Sequence, residues 1–252
     1  NNPLKPLLNK TLSGLYSPGS TIKPIVALSA LEHKIINKDF KVNCSGKIEM
    51  YGMTYHCWKK KGHGIVNLKD AIKQSCDTYF YEITRKLGVD RLKKTAVKFG
   101  LGEKVLDKVF INEKKGLMPD TKWKKNVLGK SWVLGETLIT GIGQGYMQTT
   151  PLQLCLMTAQ LANGGYKIYP KIIVTDEDPT LEEIKNKIQE NNKNLNEFKK
   201  GLDVASEGLS WFIEAKKHKP LFENFENIKI VQEAMFASTN EVRGTSYSSR
   251  IK

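Results

Sequence analysis

Tyr16-Ser17-Pro18-Gly19-Ser20-Thr21-Ile22-Lys23-Pro24 runs straight into Ile25-Val26-Ala27-Leu28-Ser29-Ala30-Leu31-Glu32-His33. Over 24–33, Ile25, Leu28 and Leu31 recur at helical spacing, with Val26, Ala27 and Ala30 alongside, which predicts a helix buried on most sides. Ser20-x-x-Lys23 stands at its start. Residues three apart on a helix share a face, so Lys23 is expected to reach the Ser20 hydroxyl. Serine is a weak nucleophile until a neighbouring base takes its proton. Lysine is such a base only where its ammonium form is disfavoured, by burial against the apolar helix or by nearby positive charge. The N–H groups of the helix start can also help stabilise an oxyanion at Ser20. The four-letter pattern is weak alone: Ser249-Arg250-Ile251-Lys252 matches it too. Ser20 also reads as an ordinary helix cap after a Pro-Gly turn.

A second constellation is Gln74-Ser75-Cys76-Asp77-Thr78-Tyr79-Phe80-Tyr81. Ser-x-Asp in a short loop between two helices can aim a hydroxyl and a carboxylate at a nucleophile, and the hydroxyl can relay a proton to a leaving amine. The plainer reading is that Ser75 or Asp77 caps the following helix. Ser238-Thr239-Asn240 carries similar letters but falls inside an expected helix.

Around these motifs, residues 1–20 read as an irregular lead-in and 43–66 as a loop. Asn67 with Asp70 starts a helix, Thr78 to Leu87 forms another that Gly88 stops, and Asp90 opens a third ending near Gly100. Residues 103–128 read as irregular and basic. Thr150-Pro151-Leu152-Gln153 is a capping box with proline at the first helical position. The helix it starts is apolar nearly all round and should lie deep in a core, Cys155 included. A strand is expected over Ile168–Val174 and a helix over 226–242. The stretch 176–225 is rich in Lys, Glu and Asn and reads as a charged helical insertion. Gly143 and Gly145 flank a turn, where they either admit close backbone approach to the site or serve tight packing.

The chain has 252 residues and a formal net charge of +14. Its lysines are dispersed, and no finger, homeodomain-like or aromatic-basic signature accompanies them, so nucleic acid is not an expected partner. No apolar run is long enough to span a membrane. The absence of an initial Met suggests a piece of a longer chain. Cys44, Cys57, His63 and Cys76 make up a complete tetrahedral zinc set that would brace the loop presenting Ser75. The alternatives are a Cys44–Cys57 disulfide, which an oxidising compartment permits, and free thiols. His56 could replace His63 as ligand.

Three blocks in order, LLNKTLSGLYSPGSTIKP, WKKKGHGIVNLKDAIKQSCDTYFYEI and GIGQGYMQTTPLQL, resemble those of class B penicillin-binding proteins of the elongation type. NEVRGTSYSSRIK weakly resembles the segment before that family's third motif. The resemblance implies an α+β fold of the penicillin-binding protein/serine β-lactamase-like transpeptidase kind, here truncated and mainly helical, with residues 1–252 as part of one transpeptidase domain. It implies that Ser20 attacks the penultimate D-alanine carbonyl of a peptidoglycan stem peptide, with Lys23 as general base and Ser75 and Asp77 as the second motif. β-Lactams would acylate the same serine. It further implies a membrane glycan polymerase of the elongation machinery as partner and the periplasmic face of the inner membrane as location. Some relatives resemble this chain in placing a metal near the second motif. The third motif, Lys-Thr-Gly or Lys-Ser-Gly, is absent, and Lys130-Ser131-Trp132 has tryptophan in place of its glycine. The 252 residues alone are therefore expected not to turn over substrate. A non-catalytic sensor or scaffold, a β-lactamase and a D,D-carboxypeptidase are the competing readings.

Overall fold

The helix foreseen from the opening stretch is α2, Lys23–Glu32. In a computed structural model of the chain, which describes residues 8–106, 110–170 and 219–249, Ile25, Val26, Ala27, Leu28 and Ala30 are fully buried. Burying each of the larger ones stabilises the fold by about 1.5–3 kcal/mol. A short helix α1 (Lys10–Ser13), capped by the Asn9 side chain, and a 3₁₀ turn (Gly19–Ile22) precede it, so the lead-in is more ordered than expected. The helix α2 packs against α4 (Asp77–Leu87), α5 (Val89–Lys98) and α9 (Phe225–Asn240). In turn α9 lies most extensively along α3 (Leu68–Lys73), which Asn67 caps through the Asp70 N–H.

The segment 43–66 is not a loop. It holds β1 (Val42–Cys44), β2 (Lys47–Met50), β3 (Met53–His56) and β4 (Gly64–Val66). The β2–β3 hairpin pairs Lys47 with His56 and Met50 with Met53, and it is nested inside the antiparallel pair β1–β4. Its turn, Tyr51-Gly52, has positive φ at both residues. That geometry matches the strand twist but usually draws Asn-Gly, which explains why the hairpin is hard to read from sequence. Neither face of β2–β3 is fully buried; β2 alternates over only four residues and β3 does not alternate.

Residues 103–128 contain α6 (Thr121–Leu128), started by Asp120 accepting the Trp123 N–H and stopped by left-handed Gly129. Both signals are in the sequence, behind a run of lysines. Next come α7 (Leu134–Thr140) and α8 (Pro151–Ala162), the latter with the expected Thr150–Gln153 capping box. The helix α8 is not buried all round: Leu156, Met157 and Leu161 face the core, while Pro151, Cys155 and Thr158 are exposed. Cys155 is thus a surface residue. Of the expected strand Ile168–Val174, residues 168–170 carry no strand and the rest lies outside the described residues, as does the charged stretch 176–225 up to residue 218. Helices dominate the described residues and the two sheets are small and antiparallel. No described helix is long and apolar enough to cross a membrane.

Candidate active site

Ser20 sits in the 3₁₀ turn one residue after Gly19, exposed on a cleft of about 960 Å³ that Ser75, Asp77, Trp58 and Gln144 also line. It is not a cap: neither the 3₁₀ turn nor α2 has a side-chain cap. Among the described residues no hydrogen bond engages its hydroxyl. The turn is held from behind, where Gly19 N–H donates to the Gly143 carbonyl at 2.9 Å. Gly143 has φ +73°, and a Cβ there would stand 2.1 Å from the Gly19 carbonyl oxygen. Close backbone approach is therefore the reason for this glycine.

Lys23 is 2 % exposed and points toward the second motif. Its Nζ donates to Asp77 Oδ1 at 2.7 Å, to Ser75 Oγ at 2.9 Å and to the Ser75 carbonyl at 2.9 Å. The Phe80 ring lies 5.4 Å beneath it. An ammonium has three donors, and all three are used. Lys23 is buried as expected, but it meets Ser75 and Asp77 instead of the Ser20 hydroxyl, and the charge beside it is a carboxylate instead of a cation. The 3₁₀ turn still joins the two residues through the backbone, the Lys23 N–H donating to the Ser20 carbonyl.

Ser75 lies between α3 and α4 with φ +53°, a left-handed conformation uncommon for a residue with a side chain. Cys76, not Ser75 or Asp77, occupies the N-cap position of α4, with no side-chain capping bond. The Asp77 carboxylate is instead shared between Lys23 and the backbone N–H of Trp58, at 2.9 Å. Trp58, which from sequence reads equally as a core or a groove aromatic, lines the cleft. Lys130-Ser131-Trp132 lies just before α7, where the Trp132 indole donates to Thr137. Ser238-Thr239-Asn240 lies at the end of α9.

Beside this motif, Cys44 from β1, Cys57 after β3, His63 and Cys76 bring one donor atom each within 4.8 Å of one another. His63 Nδ1 stands 3.5 Å from Cys44 Sγ and 3.6 Å from Cys57 Sγ. The other ring nitrogen, Nε2, is buried without a hydrogen-bond partner among the described residues. All four thiols of the chain are free, so Cys44 and Cys57 are not bridged. The Cys57 thiol is held well below its usual range, first by a hydrogen bond from Cys76, and the same contact pushes Cys76 up. His56 is elsewhere, in β3, its carbonyl accepting from Tyr81. The cluster has the residues and spacing to hold a metal ion.

Residues 1–213 match the family described as penicillin binding protein transpeptidase domain. The chain is 39% identical over 172 residues to peptidoglycan D,D-transpeptidase MrdA of Acinetobacter baumannii, a match covering 67% of this chain and 25% of that protein. It therefore spans about a quarter of the length of this relative. Pseudomonas aeruginosa PBP2, solved in complex with WCK 5153, superposes with a TM-score of 0.75 at 36% identity, covering 96% of this chain and 49% of that one. PBP2 of Helicobacter pylori, solved with MreC, gives 0.76 at 30% identity, covering 97% and 38%.

Proposed function

The chain belongs to the penicillin-binding protein transpeptidase family, and from that premise we propose that it carries the nucleophile side of a peptidoglycan D,D-transpeptidase site. The observation that supports this most directly is an exposed Ser20, with no hydrogen-bond partner on its hydroxyl among the described residues, sharing one cleft with a Ser75–Asp77 pair that Lys23 holds together. Ser20 Oγ attacks the penultimate D-alanine carbonyl of a stem peptide and becomes an ester. The bond to terminal D-alanine breaks and that amine leaves. Lys23 in its neutral amine form is the general base, acting on Ser20 directly or through Ser75, whose Oγ lies 2.9 Å from Nζ and then donates to it. Ser75 passes a proton to the leaving amine, and Asp77 fixes the position of Lys23. An amine of a neighbouring stem peptide then resolves the ester as a cross-link. A β-lactam acylates the same oxygen by opening its ring, so no leaving group departs.

The Cys44, Cys57, His63 and Cys76 set fits zinc. For Zn–S near 2.3 Å and Zn–N near 2.0–2.1 Å, a tetrahedral S–Zn–N edge is about 3.6 Å, and the observed Nδ1–Sγ separations are 3.5 and 3.6 Å. An ion held there by Cys44, Cys57, His63 and Cys76 would supply a structural tie next to Ser75. Stem peptides and β-lactams as ligands, a glycan polymerase in the membrane as partner, and the periplasmic face of the inner membrane as location belong to the same proposal. The complex of the Helicobacter pylori relative with MreC supports a protein partner.

The test is a fluorescent penicillin on the intact protein that carries this sequence, followed by peptide mapping. The label is expected on Ser20 and absent in Ser20→Ala. Undiminished labelling of Ser20→Ala, or attachment at another residue, would overturn the assignment.

A further inference from the structure

Trp58 presents 58 % of its surface to solvent in the cleft, yet its polar edge is fully engaged. The indole N–H donates to the Gln74 carbonyl at 3.1 Å and to the Ser75 carbonyl at 3.0 Å. These carbonyls belong to the peptide units on either side of Ser75, the residue held at φ +53°. One N–H therefore grips both flanks of the strained residue. The Trp58 backbone N–H holds Asp77 Oδ2 at 2.9 Å. On its other side the ring meets His63 edge-on, with centroids 5.4 Å apart. A tryptophan serving stability alone would bury its ring; this one leaves the ring in the cleft and commits its donors to the Ser75–Asp77 loop.

We propose that Trp58 is a positioning residue for acyl transfer, fixing the two carbonyls that flank Ser75 and holding Asp77 against Lys23, so that the second motif stays aligned with Ser20. The inference rests on Ser20 being the acylated nucleophile. Without the indole donor, the Ser75 carbonyl retains only Lys23 Nζ and the Gln74 carbonyl has no other partner among the described residues, although the Ser75 and Cys76 N–H groups stay on the Ile72 and Ala71 carbonyls at the end of α3. The two freed carbonyls can then tilt and shift the Ser75 hydroxyl relative to Ser20. The exposed ring face also forms part of the wall a ligand meets.

Stopped-flow acylation by a fluorescent penicillin on the intact protein separates these roles, because the first-order acylation constant does not depend on the folded fraction. Trp58→Phe keeps a ring and the backbone N–H but removes the indole donor. It is expected to lower the acylation constant by about tenfold, with the pre-acylation dissociation constant, melting temperature and metal content unchanged. Trp58→Ala should show the same loss and weaker pre-acylation binding as well. A Trp58→Phe acylation constant equal to wild type, or a lower labelled fraction at unchanged rate, overturns the positioning role and leaves the Ser20 assignment standing. Wild-type protein that takes no label at Ser20 fails the parent reading and this one with it.

Discussion

Lys23 and Asp77 form a pair in which neither partner has water to fall back on: their side chains are 2 % and 12 % exposed at 2.7 Å separation. Removing one side of such a pair strands the other. Lys23→Met should therefore destabilise by about 3–5 kcal/mol in addition to abolishing acylation, and Lys23→Met/Asp77→Leu should recover much of the stability while remaining inactive. Urea titration of both variants measures this; equal stability of single and double variants would show that the pair is not coupled. At this scale short-range spacing singled out Ser20, Lys23, Ser75 and Asp77 in the sequence, and the fold joins Lys23 to Ser75 and Asp77 beside the cleft that Ser20 lines. The spacing did not yield their connections. Lys23 finds Asp77 across 54 positions, and Trp58 finds the second motif across 16 to 19. No local pattern encodes those meetings, or the left-handed backbone of Ser75.

Helices declared by their own ends were legible: α3, α4, α5, α8 and α9 each carry a cap or stop residue beside an apolar period. The hairpin β2–β3 was not, since its turn lacks the usual residues and its faces are half-wet. How α9 docks was also beyond local reading. Glu241, its C-cap residue, bonds Lys69 at 2.6 Å and Lys73 at 3.1 Å, both on α3. Hydrogen bonding from Lys69, then Lys73, holds the Glu241 carboxyl below its ordinary 4.5. A carboxyl lowered in the folded state stabilises above its unfolded value and loses that contribution as pH falls through the folded one. Glu241→Gln should lower stability at neutral pH by less than about 1 kcal/mol, since the group is partly exposed and solvent screens it. The difference from wild type should shrink as pH falls past 4.5 and vanish only below the lowered folded-state value. A wild-type-minus-variant gap that persists there would assign the contact a different origin.

Across the whole molecule, the Cys44–Cys57–His63–Cys76 cluster joins β1, the end of β3, the segment before β4 and the head of α4. A bound ion at a hundredfold excess over its dissociation constant adds about 2.7 kcal/mol to such a tie. Purified protein should contain one zinc per chain. Chelation should lower its melting temperature by roughly 5–10 °C, by the size scaling of thermal shifts. Cys57→Ser should lose the metal. Metal-free protein whose melting is indifferent to chelator would exclude zinc, and a Cys44–Cys57 bridge found by mass spectrometry would identify the alternative. Three of the four cysteines are buried in that cluster, whereas Cys155 stands on the outer face of α8. Within these 252 residues a maleimide dye or spin probe should therefore couple at one defined point, Cys155, well away in the chain from both motifs, giving a fixed reference for distance measurements.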